Sequence, residues 1–147
     1  MLIDPFRNAL LGKPVSHVWV GYGSALFVEF GSLTTRVRRD GTDGNPVGEF
    51  TLMIEWSWRI EKPRSILGGS CSSERRWPKI ISKLLGGIVQ EVDTFGALPE
   101  IQISLSNGLR ILSFMTDSGQ PDWALLSERD GLGTLFVKSG RLCLEKE

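Results

Sequence analysis

The most reactive-looking segment of the chain is Ile66-Leu67-Gly68-Gly69-Ser70-Cys71-Ser72-Ser73. Two glycines and four small nucleophilic side chains stand just before an expected helix. Successive backbone N–H groups in such a loop can cradle an anion, and a helix start beside a thiol lowers its pKa. The segment matches neither the G-x-S-x-G elbow nor the G-x-x-x-x-G-K-[ST] phosphate loop. His17 is the only histidine. Any Cys-His mechanism must therefore pair Cys71 as nucleophile with His17 as base. The plainer reading is a serine-capped loop and a packed histidine, with Trp19 on the same strand face, and that reading leads. Glu91/Asp93 and Glu128/Asp130 are carboxylates two apart, a spacing that shares one strand face. Neither pair sits in a calcium loop, and both read as solvated faces. One histidine and two cysteines are too few for a Cys/His zinc site, and no cofactor is expected.

Arginine and tryptophan carry the second group of candidates. Lys plus Arg and Asp plus Glu both count 17, so the chain is neutral, which argues against a general polyanion binder. The neutrality is a cancellation. Residues 59–83 carry a net +5, residues 84–147 a net −4 and residues 1–58 a net −1. Trp58 and Trp77 bracket the basic segment, which holds Arg59, Arg75 and Arg76. Arg36, Arg38 and Arg39 form a second basic cluster. Arginine beside tryptophan suits both protein hot spots and nucleic acid.

The elements that must position these residues are mostly short strands. At 147 residues the chain is long enough to bury a core as one domain. Residues 50–60 alternate, with Phe50, Leu52, Ile54, Trp56, Trp58 and Ile60 on one parity. This predicts one long half-buried strand containing a bend or bulge. Further strands are expected at 26–30, 101–105, 109–115, 123–126, 135–137 and 141–144. Ser106-Asn107-Gly108 and Ser139-Gly140 read as hairpin turns. Asp4-Pro5 reads as a cap and first helical residue, with Leu10-Leu11-Gly12 closing that helix. Residues 78–85 predict a second helix, stopped by Gly86-Gly87. Residues 39–48 are a polar loop, and 61–76 read as irregular. The fold class is α+β, mainly antiparallel sheet with one or two short helices. The core is expected to hold Leu52, Ile54, Trp56, Trp58, Ile103, Leu105, Ile111 and Trp123. Should the end of the long strand protrude, Trp56 and Trp58 would instead form a binding surface.

Leu10-Leu11-Gly12-x-x-Val15-x-x-Val18 matches Leu84-Leu85-Gly86-x-x-Val89-x-x-Val92 at an offset of 74. A late tryptophan follows in each half, Trp58 and Trp123, with the offset drifting to 65 because the 39–48 loop has no counterpart of equal length. Half-repeats spanning 4–70 and 78–147 fit this spacing, and so does coincidence between two generic helix-to-strand junctions. The L-x-G-x-x-V opening, strand, Gly turn and late Trp resemble small uncharacterised bacterial domains, some linked to toxin-immunity loci. The resemblance covers structural residues and implies a bacterial non-enzyme.

Taken together, the residues favour a non-enzymatic protein-binding module of immunity or accessory type, acting on a protein partner or a second copy. Trp56, Trp58, Arg59, Trp77, Arg75, Arg76, Arg36, Arg38 and Arg39 are its expected contacts. The alternatives are a small hydrolase or transferase using Cys71 and His17, and nucleic-acid binding through the arginines. No apolar run is long enough to span a membrane and two cysteines suit a reduced compartment, so a cytoplasmic protein is expected.

Overall fold

The computed structural model describes residues 1–118, 123–127 and 131–146. It is α+β, mostly antiparallel sheet with two short helices. The first half runs α1 (Asp4–Leu10), β1 (Val15–Val20), β2 (Leu26–Phe30), β3 (Phe50–Ile54), β4 (Trp58–Glu61) and β5 (Ile66–Gly69). The second runs α2 (Trp77–Ile81), β6 (Val89–Phe95), β7 (Glu100–Leu105), β8 (Arg110–Ser113), β9 (Trp123–Ser127), β10 (Gly133–Lys138) and β11 (Arg141–Glu145). Turns of 3₁₀ helix, Glu74–Arg76 and Ser82–Leu84, flank α2.

Both helices are too short to persist on propensity alone, so packing must hold them. Each has proline in its first turn, where the missing N–H is no loss. Ile3, not Asp4, occupies the N-cap of α1, and neither helix has a side-chain cap. Gly12 and Gly86 then reverse the chain at φ +85° and +81°, a region costly for other residues.

The strands form two sheets. The first has the order β1-β2-β3-β9-β10-β11 and the second β5-β4-β8-β7-β6. In each half a three-stranded meander stays in one sheet and the next strands cross to the other. The expected single strand over 50–60 is therefore two strands in different sheets. Trp56, expected in the core, lies at the crossing and is 56% exposed. The alternation persists across the break because β3 and β4 face the same core. The segment 61–76, expected to be irregular, contains β5, on the edge of the second sheet.

Hydrogen bonds where the halves meet come in matched pairs. Gly12 N donates to Val89 O and Gly86 N to Val15 O, both at 2.9 Å. Val15 N donates to Gly87 O at 2.8 Å and Val89 N to Lys13 O at 2.9 Å. The strand registers match likewise: His17 pairs Glu29 as Glu91 pairs Ser104, and Ile54 pairs Trp123 as Ser113 pairs Trp58. Trp58 Nε1 donates to Ser24 O at 2.6 Å, and Trp123 Nε1 to Pro99 O at 3.0 Å. Both indoles are buried, so each N–H needs such an acceptor. One core joins Phe6, Leu10, Val28, Leu52, Ile60, Ile80, Leu84, Ile103, Ile111 and Leu125 from both sheets and both helices.

Candidate functional site

The outward faces of the two sheets differ. Along β1, β2, β3 and β9 the first sheet turns out His17, Trp19, Phe27, Glu29, Thr51, Met53, Ala124 and Leu126, as registered pairs. Trp19 and Phe27 stack at 4.2 Å and 8°. The matched positions of the second sheet are Glu91, Asp93, Gln102, Ser104, Arg110, Leu112, Arg59 and Glu61. There Glu61 accepts hydrogen bonds from Arg59 and from Arg110, the latter at 2.6 Å, and Arg59 lies 4.5 Å over Phe114. That face is mostly polar and laced with ion pairs, with Leu112 buried among them.

The chain between β2 and β3 folds as a narrow arm over the first sheet. Thr34 and Val47 exchange backbone hydrogen bonds at 2.7 and 2.9 Å, and Val37 bridges Asp43. Arg36, Arg38 and Arg39 ride on its exposed outer part. Its base is fastened to the sheet. His17 Nε2 meets Asn45 Oδ1 at 2.9 Å. Glu29 Oε1 accepts the Gly48 N–H at 3.0 Å and the Thr51 hydroxyl. Gly48 is required there, because a Cβ would stand 2.5 Å from Phe30 O. Glu49 Oε2 accepts from Lys13 Nζ at 2.7 Å and Oε1 from Ser32 N at 2.9 Å.

Between arm and sheet lies a cavity of about 400 Å³ lined by Trp19, Phe27, Glu29, Arg36, Arg38, Asn45, Thr51, Met53 and Leu126, among others. Glu29 is only 3% exposed. Burial raises its carboxyl above the usual glutamate value, and the Thr51 and Gly48 hydrogen bonds offset part of that rise. Glu49 behaves oppositely. Hydrogen bonds from Lys13 and Ser32 hold it down to about 2.

Beside this cavity, a groove of about 330 Å³ runs under Tyr22 and Trp56 and shares Trp19, Phe27 and Met53 as lining. Tyr22 is fully exposed. A third opening of about 610 Å³ lies between the β1 edge and α2, lined by His17, Trp19, Glu74, Trp77 and Leu85 among others.

Against this geometry the expected contacts separate. Trp56 is on the surface. Trp58 is a core residue, as the alternation predicts, with its N–H spent on Ser24, so it is not a surface contact. Trp77 is also buried, its N–H donated to Gly69 O at 3.1 Å. Arg36, Arg38 and Arg39 stand on the arm, Arg75 and Arg76 on the turn before α2, and Arg59 on the outer face of the second sheet. The arginines thus sit on three separate elements.

Cys71 is exposed, and His17 is engaged by Asn45. The opening that holds His17 contains no cysteine. The loop before α2 is closed as an anion cradle at three of its N–H groups. Gly69 N donates to Ser72 Oγ, Ser70 N to Trp58 O and Ser72 N to Gly69 O, so those N–H groups are already used. Asp93 is ion-paired to Arg7 at 2.7 Å and Glu91 is exposed. Glu128/Asp130 lies outside the described residues. Among the described residues no cluster of three or more His, Cys, Asp or Glu is placed to hold a metal, and no helix is long and apolar enough to cross a membrane.

Sequence reasoning passed over Glu29, Thr51 and Asn45. A signal was present: Leu26-Phe27-Val28-Glu29-Phe30 is apolar on both parities except for one acid, which is not the pattern of a solvated strand face. No family model matches the chain, and no curated protein and no solved structure matches it.

Proposed function

We propose that this chain is a non-enzymatic binding module that engages a protein partner through the aromatic end of its first sheet. One observation carries the reading. Tyr22, fully exposed, and Trp56, more than half exposed, flank a groove floored by Phe27 and Met53. Exposed large aromatics around a concave apolar floor are the makings of an interface hot spot. Glu55 is the charged residue lining that groove, so the partner segment is apolar with a basic neighbour. A second copy of this chain is the related form of the reading. The immunity or accessory setting, and the cytoplasm as its place, belong to the same proposal. Two free cysteines, Cys71 and Cys143, support the reduced compartment.

We infer too that the two halves are copies of one unit, of which only the first carries the arm and the aromatic face. The paired registers and paired junction hydrogen bonds support this.

The test places a photo-crosslinking amino acid at Tyr22, at Trp56 and, on the opposite face, at exposed Glu91. Discrete adducts from the first two positions and none from Glu91 are expected in cells of the source organism. An adduct with a second copy would select the self-association form. No adduct at all, or the same adducts from all three positions, would overturn the proposal.

A further inference from the structure

We propose that the cavity beneath the arm binds a guanine mononucleotide. This goes beyond the protein-binding reading and does not depend on it. The argument starts from Glu29. A carboxylate this buried is costly unless hydrogen-bond donors surround it. The chain supplies two, Gly48 N–H and the Thr51 hydroxyl, and both go to Oε1. Oε2 takes part in neither bond, and Glu29 lines the cavity. The floor therefore offers an acceptor oxygen to a ligand bearing N–H donors.

The walls and mouth narrow the class further. Trp19, Phe27, Met53 and Leu126 give flat and apolar contact, suited to the face of a ring. Arg36 and Arg38 line the same cavity, and among the described residues neither is in an ion pair. Arg38 spends one N–H on the Thr42 hydroxyl at 3.4 Å and Arg36 acts on Glu29 through its charge, so both keep further guanidinium donors for an anion, phosphate above all. The ligand thus needs a donor edge, a flat body and an anionic end.

Guanine is the common base with two adjacent N–H donors, N1–H and the exocyclic amine, on one edge. Adenine and cytosine turn a ring lone pair toward the same place, and uracil flanks its single N–H with two carbonyls. Each would set a lone pair against the Glu29 carboxylate. A cavity of about 400 Å³ falls within the range usual for small-ligand sites.

Calorimetric titration at pH 8 with guanosine 5′-monophosphate, adenosine 5′-monophosphate, guanosine and inorganic phosphate tests this. The guanine nucleotide should bind about tenfold more tightly than the adenine nucleotide, the low end of the discrimination a base-edge contact gives. Guanosine should bind more weakly than its monophosphate. Glu29→Gln should lose the preference for guanine. Arg36→Ala with Arg38→Ala should bring the monophosphate down to the level of guanosine and remove its salt dependence. The proposal is overturned by no binding of the guanine nucleotide at about 1 mM, by equal binding of the adenine nucleotide, by phosphate competing as well as the nucleotide, or by unchanged selectivity in Glu29→Gln. The wild-type comparison of the two nucleotides needs no variant, so it stands even if Glu29→Gln fails to fold.

Discussion

The two sheets bury the same kind of face and expose opposite ones. Inside, the registers of their three-stranded meanders and of the strand that crosses onto each correspond, and each closes on a tryptophan whose N–H reaches a turn carbonyl of the other meander's first hairpin. Outside, the second sheet shows Arg59, Glu61, Arg110, Glu91 and Asp93, while the matched positions of the first are Ala124, Leu126, Thr51, His17 and Trp19. The connection that is a tight turn around Asn107 and Gly108 in one sheet is a long arm in the other. Packing fixes the interior of both. It does not require the first sheet to hold a buried glutamate under an arginine-bearing arm. The difference between the faces is where function should be sought.

The interior match is tested most severely at its tryptophans. Trp58→Ala and Trp123→Ala should each cost roughly 3–5 kcal/mol, measured by chemical denaturation. Both indoles are almost wholly buried and both lose a hydrogen bond. A large cost at one and a small cost at the other would break the correspondence.

The outer faces should answer charge removal with opposite signs. Glu61→Gln should destabilise by roughly 1 kcal/mol, since it abandons two arginines. Glu29→Gln should raise the melting temperature at neutral pH, because the amide oxygen can still accept from Gly48 and Thr51 without a buried charge. Its folded pKa lies above the unfolded value. Its favourable contribution is therefore complete below the ordinary glutamate value and is lost as pH rises through the folded one. The gap between wild type and Glu29→Gln should accordingly close as pH falls toward about 4.5. A residue retained only for stability would lose stability on neutralisation, so a fall in melting temperature at pH 7 would assign Glu29 to the scaffold.

Why the sequence reveals the scaffold more readily than this site follows from what alternation reports. Phe50, Leu52, Ile54, Trp58 and Ile60 share a parity because they share a core, whichever sheet they belong to. The pattern therefore reads through the crossing at Trp56 and merges two strands. Gly12, Gly86 and the Asn107-Gly108 turn are legible because their backbone chemistry is local. Glu29 gains its meaning from Gly48, Thr51 and an arm many residues away, and no local spacing reports that. The Gly-Gly-Ser-Cys segment misleads for the same reason. The Ser70 N–H is spent on Trp58 O, a partner that only the fold brings near, and those of Gly69 and Ser72 on the loop itself.

The fastening of the arm gives a smaller effect of the other pH sign. Glu49 has a folded pKa of about 2, below its unfolded value of 4.5. The stability it confers is present above that unfolded value and drains away as pH falls toward about 2. Lys13→Met should lower the melting temperature at pH 7 and converge with wild type in acid. Divergence on acidification would show that the Lys13–Glu49 bond does not hold the arm.

The smallest expected effect is at the aromatic tip. Tyr22→Ala should change stability by no more than about 0.5 kcal/mol, as surface substitutions do, because its side chain is fully exposed. The matching turn of the second half, residues 96–99, carries exposed Leu98 and no aromatic ring. A stability-neutral Tyr22 would mean that the fold does not need the ring the first half presents. Combined with lost crosslinking from Trp56 in the Tyr22→Ala background, it would assign that ring to recognition. A loss well beyond 0.5 kcal/mol would instead make Tyr22 part of the scaffold, and the contrast between the two outer faces would then rest on Glu29 and the arm alone.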